Sequence, residues 1–152
     1  MKLAEMTEVA KEFHPTKNEL ITPSDITVGS SDINAGGHVG NDQMIMLLSV
    51  ARNRFFDSLN INPIDLGDIT MVAADLAATY RSESFLNDVL QFELGFMDFN
   101  KYGVDMMFRV SKAEGELVVL AKTGFVFINK ETKQVAAIPS FFINSIPAQY
   151  RP

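Results

Sequence analysis

The chain has 152 residues, 47% of them hydrophobic, which is enough to bury one core but too little for two ordinary domains, so we predict one domain over residues 1–152. The absence of cysteine excludes disulfide bonds, thiol nucleophiles and thiolate metal sites. The formal net charge of −6 argues against a nucleic-acid partner, because such binding needs a basic face that displaces counterions.

The amino-terminal residues 1–13 predict a short amphipathic helix with Leu3, Met6 and Phe13 on one side. Glutamates are interspersed among these apolar residues, so the segment does not resemble a secretory signal. No apolar run in the sequence approaches the roughly 18 residues that a membrane span requires. We therefore expect a cytoplasmic protein without a membrane partner.

One long helix is predicted in the first half of the chain. A short strand over Ile26–Ser31 leads into a glycine-containing loop, Asp32–Gly40, and a helical pattern then runs from Asn41 to Leu59. The first half of that helix, which includes Met44 and Met46, is apolar on nearly every side. A helix of this kind must be wrapped by other elements, so we expect it in the core.

The second half of the chain has the alternating pattern of strands. A long strand is predicted over Ile69–Tyr80, and Leu117–Ile128 is apolar on both faces, as in a central strand. Two further strands are predicted where apolar and polar residues alternate, at Leu90–Phe96 and Val104–Val110. The joints Asn100–Gly103 and Ala113–Glu116 are short enough for hairpins. Strands joined by hairpins favour an antiparallel sheet. The pattern predicts an α+β domain in which a curved sheet wraps the helix.

Polar residues able to do chemistry gather in the loop before the helix. Asp32 supplies a carboxylate, His38 a titratable base, and Asn34 and Asn41 neutral hydrogen-bonding groups. Gly36 and Gly37 allow the backbone to approach a ligand closely. The amino end of the helix adds unpaired N–H groups, and fixed donors of this kind stabilise an oxyanion.

The motif Asp-x-Asn-x-x-Gly-His-Val-x-Asn over Asp32–Asn41, followed by Ala51-Arg52 on the helix, resembles the thioesterase superfamily that includes 4-hydroxybenzoyl-CoA thioesterase. The resemblance covers residues 20–145. It implies a hot-dog fold, in which a curved antiparallel sheet wraps one long central helix, and hydrolysis of acyl thioesters of coenzyme A or an acyl-carrier protein. It also implies a homodimer or a dimer of dimers, with sites between subunits. We expect no cofactor or metal.

The sequence departs from this family at two positions. The usual catalytic aspartate falls on Asn34, and the helix acid that precedes Ala-Arg is replaced by Val50. Plant acyl-carrier-protein thioesterases resemble the chain in having an Asp-x-Asn pair followed by His. This second resemblance implies that Asp32, Asn34 and His38 are catalytic. Gly36, Gly37 and Asn41 are then the expected substrate-binding residues.

Other interpretations of the same residues stay open. Asp32 and Asn34 are also typical of Asx turns, and Asn41 is also a suitable helix N-cap. A hot-dog enoyl-thioester hydratase and a non-catalytic acyl-thioester-binding protein are the alternative functions. Zinc is unsupported, since the only other histidine, His14, has no obvious partner. Four cations are expected to be solvated surface charges rather than ligands of CoA phosphates: Arg81, Lys101, Lys112 and Lys122.

Overall fold

Five strands and two helices follow one another in the part of the chain that the structure, a computed structural model, describes, residues 25–152. The strands are β1 Asp25–Thr27, β2 Ile69–Tyr80, β3 Val89–Met97, β4 Gly103–Lys112 and β5 Leu117–Asn129; the helices are α1 Asn41–Ser58 and α2 Ser140–Ser145. The amphipathic helix predicted for residues 1–13 lies outside the described residues. No helix within residues 25–152 is long and apolar enough to cross a membrane.

The strands form one antiparallel sheet in the order β1-β3-β4-β5-β2. The hairpin from β3 to β4 pairs Phe92 with Val110, and the hairpin from β4 to β5 pairs Val110 with Val119. These pairs bring the apolar positions of three strands onto one face. The predicted α+β hot-dog fold, a curved antiparallel sheet with one long helix, is confirmed.

The first strand is shorter than the pattern predicted. It ends at Thr27, and Ser30–Asp32 forms a 3-10 turn instead of continuing the strand to Ser31. The turn is closed by the Asp32 carboxylate, whose Oδ2 accepts a 2.9 Å hydrogen bond from the Gly29 N–H. A local side-chain bond of this kind competes with strand pairing, which is why the strand stops early.

Helix α1 packs on the inner face of the sheet through an aromatic cluster. Phe55 and Phe56 meet Phe96 of β3 at ring-centroid distances of 5.7 and 6.0 Å. Phe142 of α2 completes the cluster, 5.1 Å from the ring of Phe127 on β5. Helix α2 was not predicted, because Pro139 and six residues give little periodicity; it closes the open end of the core.

The expectation that the whole apolar surface of α1 is wrapped is only partly correct. Met44, Leu47 and Leu48 are buried, but Ile45 is partly exposed and Met46 keeps 65% of its surface accessible. Beside them runs β2, an edge strand among the described strands, with Leu76 also exposed. One chain therefore leaves an apolar strip open between α1 and the edge of the sheet.

Lys122 is not the solvated surface charge that the sequence predicted. Its side chain on central strand β5 is 6% exposed, and its Nζ lies 2.7 Å from Asp75 Oδ1 and 3.5 Å from Asp105 Oδ1. A β-bulge at Ala74 turns Asp75 toward this lysine, and Asp75 also accepts a bond from the Gly124 N–H. The hydrogen bond from Lys122 lowers the pKa of Asp75, whereas burial raises the pKa of Asp105.

Candidate active site

The loop before α1 is folded back on itself by backbone hydrogen bonds. Ile33 and Val39 form an isolated antiparallel bridge, and the Asn34 N–H donates to the His38 carbonyl at 2.9 Å. The Gly37 N–H donates to the Asn34 carbonyl at 3.0 Å, and Gly37 has the positive φ of 83° that glycine adopts without strain. The motif therefore forms a tight, internally bonded turn.

Asn34, Gly36 and His38 lie together at the tip of this turn. The Asn34 Oδ1 accepts a 2.9 Å bond from the Gly36 N–H, which is an Asx turn. A side chain added at Gly36 would place its Cβ 3.2 Å from both Asn34 Oδ1 and His38 Nε2. Because glycine has no side chain, the Asn34 carboxamide and the His38 imidazole can both lie close to the backbone at this position.

Asp32 lies at the other end of the loop. Its carboxylate is partly buried and bonded to the Gly29 N–H, as described above. It is not among the residues that line the cavity beside His38. Within the single chain, Asp32 therefore does not border the cavity that His38 lines.

A cavity of about 250 Å³, hereafter the loop cavity, opens beside the histidine. It is lined on one side by His38, Val39, Asn41 and Met44, and on the other by residues at the ends of β2 and β5. His38 Nδ1 lies 3.2 Å from the Val39 carbonyl oxygen, and Nε2 lies 3.8 Å from Glu83 Oε1. The cavity thus combines an imidazole and a carboxylate on a mostly apolar wall.

Glu83 and its neighbours were missed by the sequence analysis. Ser82, Glu83 and Ser84 follow β2 directly and line the loop cavity, and the Val39 N–H donates to the Ser84 carbonyl at 2.9 Å. The available signal was a polar Arg-Ser-Glu-Ser run at the end of a long apolar strand. Its position opposite His38 depends on the pairing of that strand with β5, which local sequence does not specify.

The amino end of α1 faces the same cavity. The N-cap is Gly40, so the interpretation of Asn41 as the N-cap is wrong; Asn41 is the first helical residue. The intrahelical ladder begins with Met44 N–H donating to the Gly40 carbonyl, which leaves the preceding N–H groups of the first turn for other acceptors. Tyr80 borders this end of the helix. The pKa of its phenol is raised mainly by burial and, to a smaller extent, by the nearby negative charge of Asp42.

Residues 28–146 match the model of the thioesterase-like superfamily, which is most of the chain. The chain belongs to this superfamily. Membership supports thioester hydrolysis as the general reaction, and the predicted resemblance to the 4-hydroxybenzoyl-CoA thioesterase family is confirmed. No curated protein matches the chain significantly.

Solved structures of this thioesterase-like fold superpose on the chain despite low identity. A 1,4-dihydroxy-2-naphthoyl-CoA thioesterase from Synechocystis has a TM-score of 0.76 at 19% identity, covering 84% of this chain and 96% of that one. A Staphylococcus aureus protein solved in complex with CoA, SAV2348, has a TM-score of 0.76 at 23% identity, covering 84% of both chains. The probable thioesterase YbaW from Escherichia coli has a TM-score of 0.69 at 21% identity, covering 80% and 92%.

Proposed function

We propose that this thioesterase-like protein hydrolyses acyl thioesters in the loop cavity, with His38 as the general base. The observation that carries the proposal is the position of His38 Nε2 beside a cavity at the amino end of α1, with a carboxylate 3.8 Å away. Thioester hydrolysis needs a polarised carbonyl and an activated water, and each of these groups serves one of those needs.

The contact of Nδ1 with the Val39 carbonyl assigns the tautomer of His38. A carbonyl oxygen can only accept, so Nδ1 carries the hydrogen, and in the neutral imidazole Nε2 is the nitrogen with the free lone pair. Nε2 takes a proton from water as the water oxygen attacks the thioester carbon. Glu83 then lies opposite the imidazolium and stabilises its charge.

The developing oxyanion is placed at the first turn of α1. The N–H groups of this turn point out of the helix and carry its positive partial charge. When the tetrahedral intermediate collapses, the C–S bond breaks and the proton on Nε2 passes to the departing thiolate. The products are a free acid and a free thiol.

The other predicted site residues support His38 in this scheme. Asn34 and Gly36 fix the turn that carries the imidazole, and Gly37 supplies the bend. Asn41 lines the cavity and is the proposed contact of the substrate. Asp32 is proposed as a positioning residue that anchors the loop through Gly29; direct attack or water activation by Asp32 is the alternative.

Coenzyme A esters are the proposed substrates. The superfamily match and the fold shared with a protein solved in complex with CoA support this choice over a carrier-protein thiol. The chain's net charge of −6 also disfavours docking of an acidic carrier protein.

A homodimer formed along β2 is proposed as the working assembly. Leu76 on this edge strand and Met46 on α1 are exposed, and together they form an apolar strip that a single chain leaves uncovered. A second copy on this edge would also close the side of the substrate cavities. Replacing Leu76 by Lys should convert the dimer to a monomer in light scattering.

The test of the reaction is thiol release from a series of acyl-CoA esters, with the His38→Gln variant alongside. The variant should lose on the order of 10²–10⁴-fold in kcat, since it removes the proton acceptor but keeps a hydrogen-bonding side chain. Lys133→Gln, a change in the exposed turn after β5, is the matched control and should keep full activity.

Crotonyl-CoA separates hydrolysis from hydration. A hydrolase releases free thiol, whereas a hydratase removes the enoyl absorbance without releasing thiol. Equal thiol release by the wild type and the His38→Gln variant would exclude His38 as the base. No release from any ester in the series would exclude the proposed reaction.

A further inference from the structure

A second cavity, hereafter the helix groove, lies further along α1 than the loop cavity. Its volume is about 400 Å³, and it lies between α1 and the edge strand β2. Ile45 and Leu48 line its helix side, and Ala73, Ala74 and Leu76 line its strand side. Two of the four β2 residues in the lining are alanines, and these small side chains leave space opposite the helix.

Both cavities are lined by residues of α1 and of β2. Tyr80, at the end of β2, donates to Asn41 at the start of α1, whereas Ala73, earlier in β2, shares the helix groove with Arg52. From Asn41 to Arg52 the helix rises by about 16 Å, at about 1.5 Å per residue. An acyl group whose thioester sits at the first turn would therefore extend along the groove.

The far end of the groove holds Arg52. Its guanidinium carbon lies 5.4 Å from the ring centroid of Phe125, in cation–π geometry, and burial lowers its pKa without removing its charge. Within residues 25–152, no carboxylate lies at salt-bridge distance from Arg52. A half-buried cation without an anion is unusual, since charges removed from water are normally paired.

The carboxylate in the groove lining already has partners of its own. Asp75 lines the groove, but its Oδ1 is bonded to Lys122 Nζ at 2.7 Å and to the Gly124 N–H at 3.1 Å. Its charge is therefore compensated from the sheet side. Within residues 25–152, Arg52 is therefore the cation of the groove lining that has no carboxylate partner.

Building on the proposed function, we infer that the helix groove selects acyl thioesters that end in a carboxylate, and that Arg52 is the residue that recognises it. The substrates are then CoA monothioesters of dicarboxylic acids. The alkyl part contacts Ile45, Leu48 and Leu76, and the terminal carboxylate accepts hydrogen bonds from the guanidinium. Arg52 determines specificity and takes no part in bond cleavage.

The experiment compares matched pairs of esters that differ only at the terminal group. The pairs are adipoyl-CoA with hexanoyl-CoA, suberoyl-CoA with octanoyl-CoA, and sebacoyl-CoA with decanoyl-CoA. We expect kcat/KM to favour the carboxylate-ended member in at least one pair. Arg52→Gln should reduce that preference on the order of 10- to 100-fold, mainly through KM, because a charge-assisted hydrogen bond is lost.

Two further variants control for structure. Arg52→Lys keeps the charge and should retain part of the preference. Arg54→Gln changes another arginine of the same helix, one that donates to the Asp25 carbonyl and does not line the groove, and should leave the preference intact. Thermal denaturation of each variant reports whether the fold is retained.

The outcomes separate this inference from the proposed function. If the wild type hydrolyses every methyl-ended ester as well as its partner, the inference is wrong and the hydrolase proposal stands. If Arg52→Gln slows acetyl-CoA as much as suberoyl-CoA, the arginine binds CoA phosphate instead. If no ester is hydrolysed, calorimetry with free suberate and octanoate decides: binding of suberate that Arg52→Gln abolishes supports the inference, and equal binding of both acids overturns it.

Discussion

The hydroxyl of Tyr80 donates a 2.9 Å hydrogen bond to the backbone carbonyl of Asn41, which joins the last residue of β2 to the first residue of α1. This bond fixes the edge strand against the helix end that borders the loop cavity. Tyr80→Phe should lower the free energy of unfolding by about 0.5–1 kcal/mol, the low part of the range for one hydrogen bond, since the phenol is half exposed. Urea denaturation measures the change.

Tyr102→Phe is the control for that substitution. Tyr102 is exposed to a similar extent, but within the described residues its hydroxyl has no hydrogen-bond partner. Removal of the Tyr102 hydroxyl should leave the midpoint of urea denaturation unchanged. Equal shifts for the two variants would show that the bond to Asn41 contributes nothing to stability.

Glu83 is expected to act through His38 rather than on the substrate. Glu83→Gln should reduce kcat by about fivefold with little change in KM, because an ion pair that is largely exposed contributes up to about 1 kcal/mol. Steady-state kinetics with a CoA ester measures both constants. Glu114→Gln, in the exposed turn between β4 and β5, should leave both unaltered.

The two possible roles of Asp32 predict different results for two substitutions. Asp32→Asn keeps an oxygen that accepts from the Gly29 N–H but removes the negative charge, whereas Asp32→Ala removes both. As a positioning residue, Asp32 tolerates Asn and loses activity only as Ala. An Asn variant as inactive as the Ala variant, with wild-type stability, would instead assign Asp32 to the chemistry.

The side of helix α2 that packs on the core is expected to be essential for stability. Phe142 is fully buried against Phe127 and Phe56, and Phe142→Ala should cost about 3–5 kcal/mol through lost contacts and a new cavity. The adjacent Phe141 is 52% exposed, so Phe141→Ala should change stability by less than about 1 kcal/mol. A similar loss in both variants would contradict this packing.

Asp75 should make the stability of the fold dependent on acid pH. Lys122 lowers its pKa in the folded state, so its contribution is present above the unfolded value of about 3.9 and disappears as pH falls through the lower folded value. Asp75→Asn should flatten the loss of stability between about pH 5 and about pH 2. Denaturation at a series of pH values tests this, and Asp57→Asn, an exposed helix residue, should keep the wild-type slope.

Much of the fold was predictable because it depends on local periodicity. Strand β2 has the bounds predicted for it, and α1 ends one residue before the predicted end, since Asn60 adopts a positive φ and stops the helix. The short joints between β3, β4 and β5 predicted that these strands pair as hairpins, and they do. The motif over Asp32–Asn41 identified both the family and the loop that carries His38.

The sequence by itself determined the long helix, the four long strands, the antiparallel hairpins and the loop residues Asn34, Gly36 and His38, because spacing along the chain encodes each of them. Only the tertiary structure decided which groups surround that loop. Glu83 faces His38 and Asp32 is turned toward Gly29. The tertiary structure also buries Lys122 against Asp75 and, within residues 25–152, places no carboxylate beside Arg52. These relationships join residues from different elements or from opposite ends of one turn, so they depend on sheet register and backbone geometry that no local pattern records.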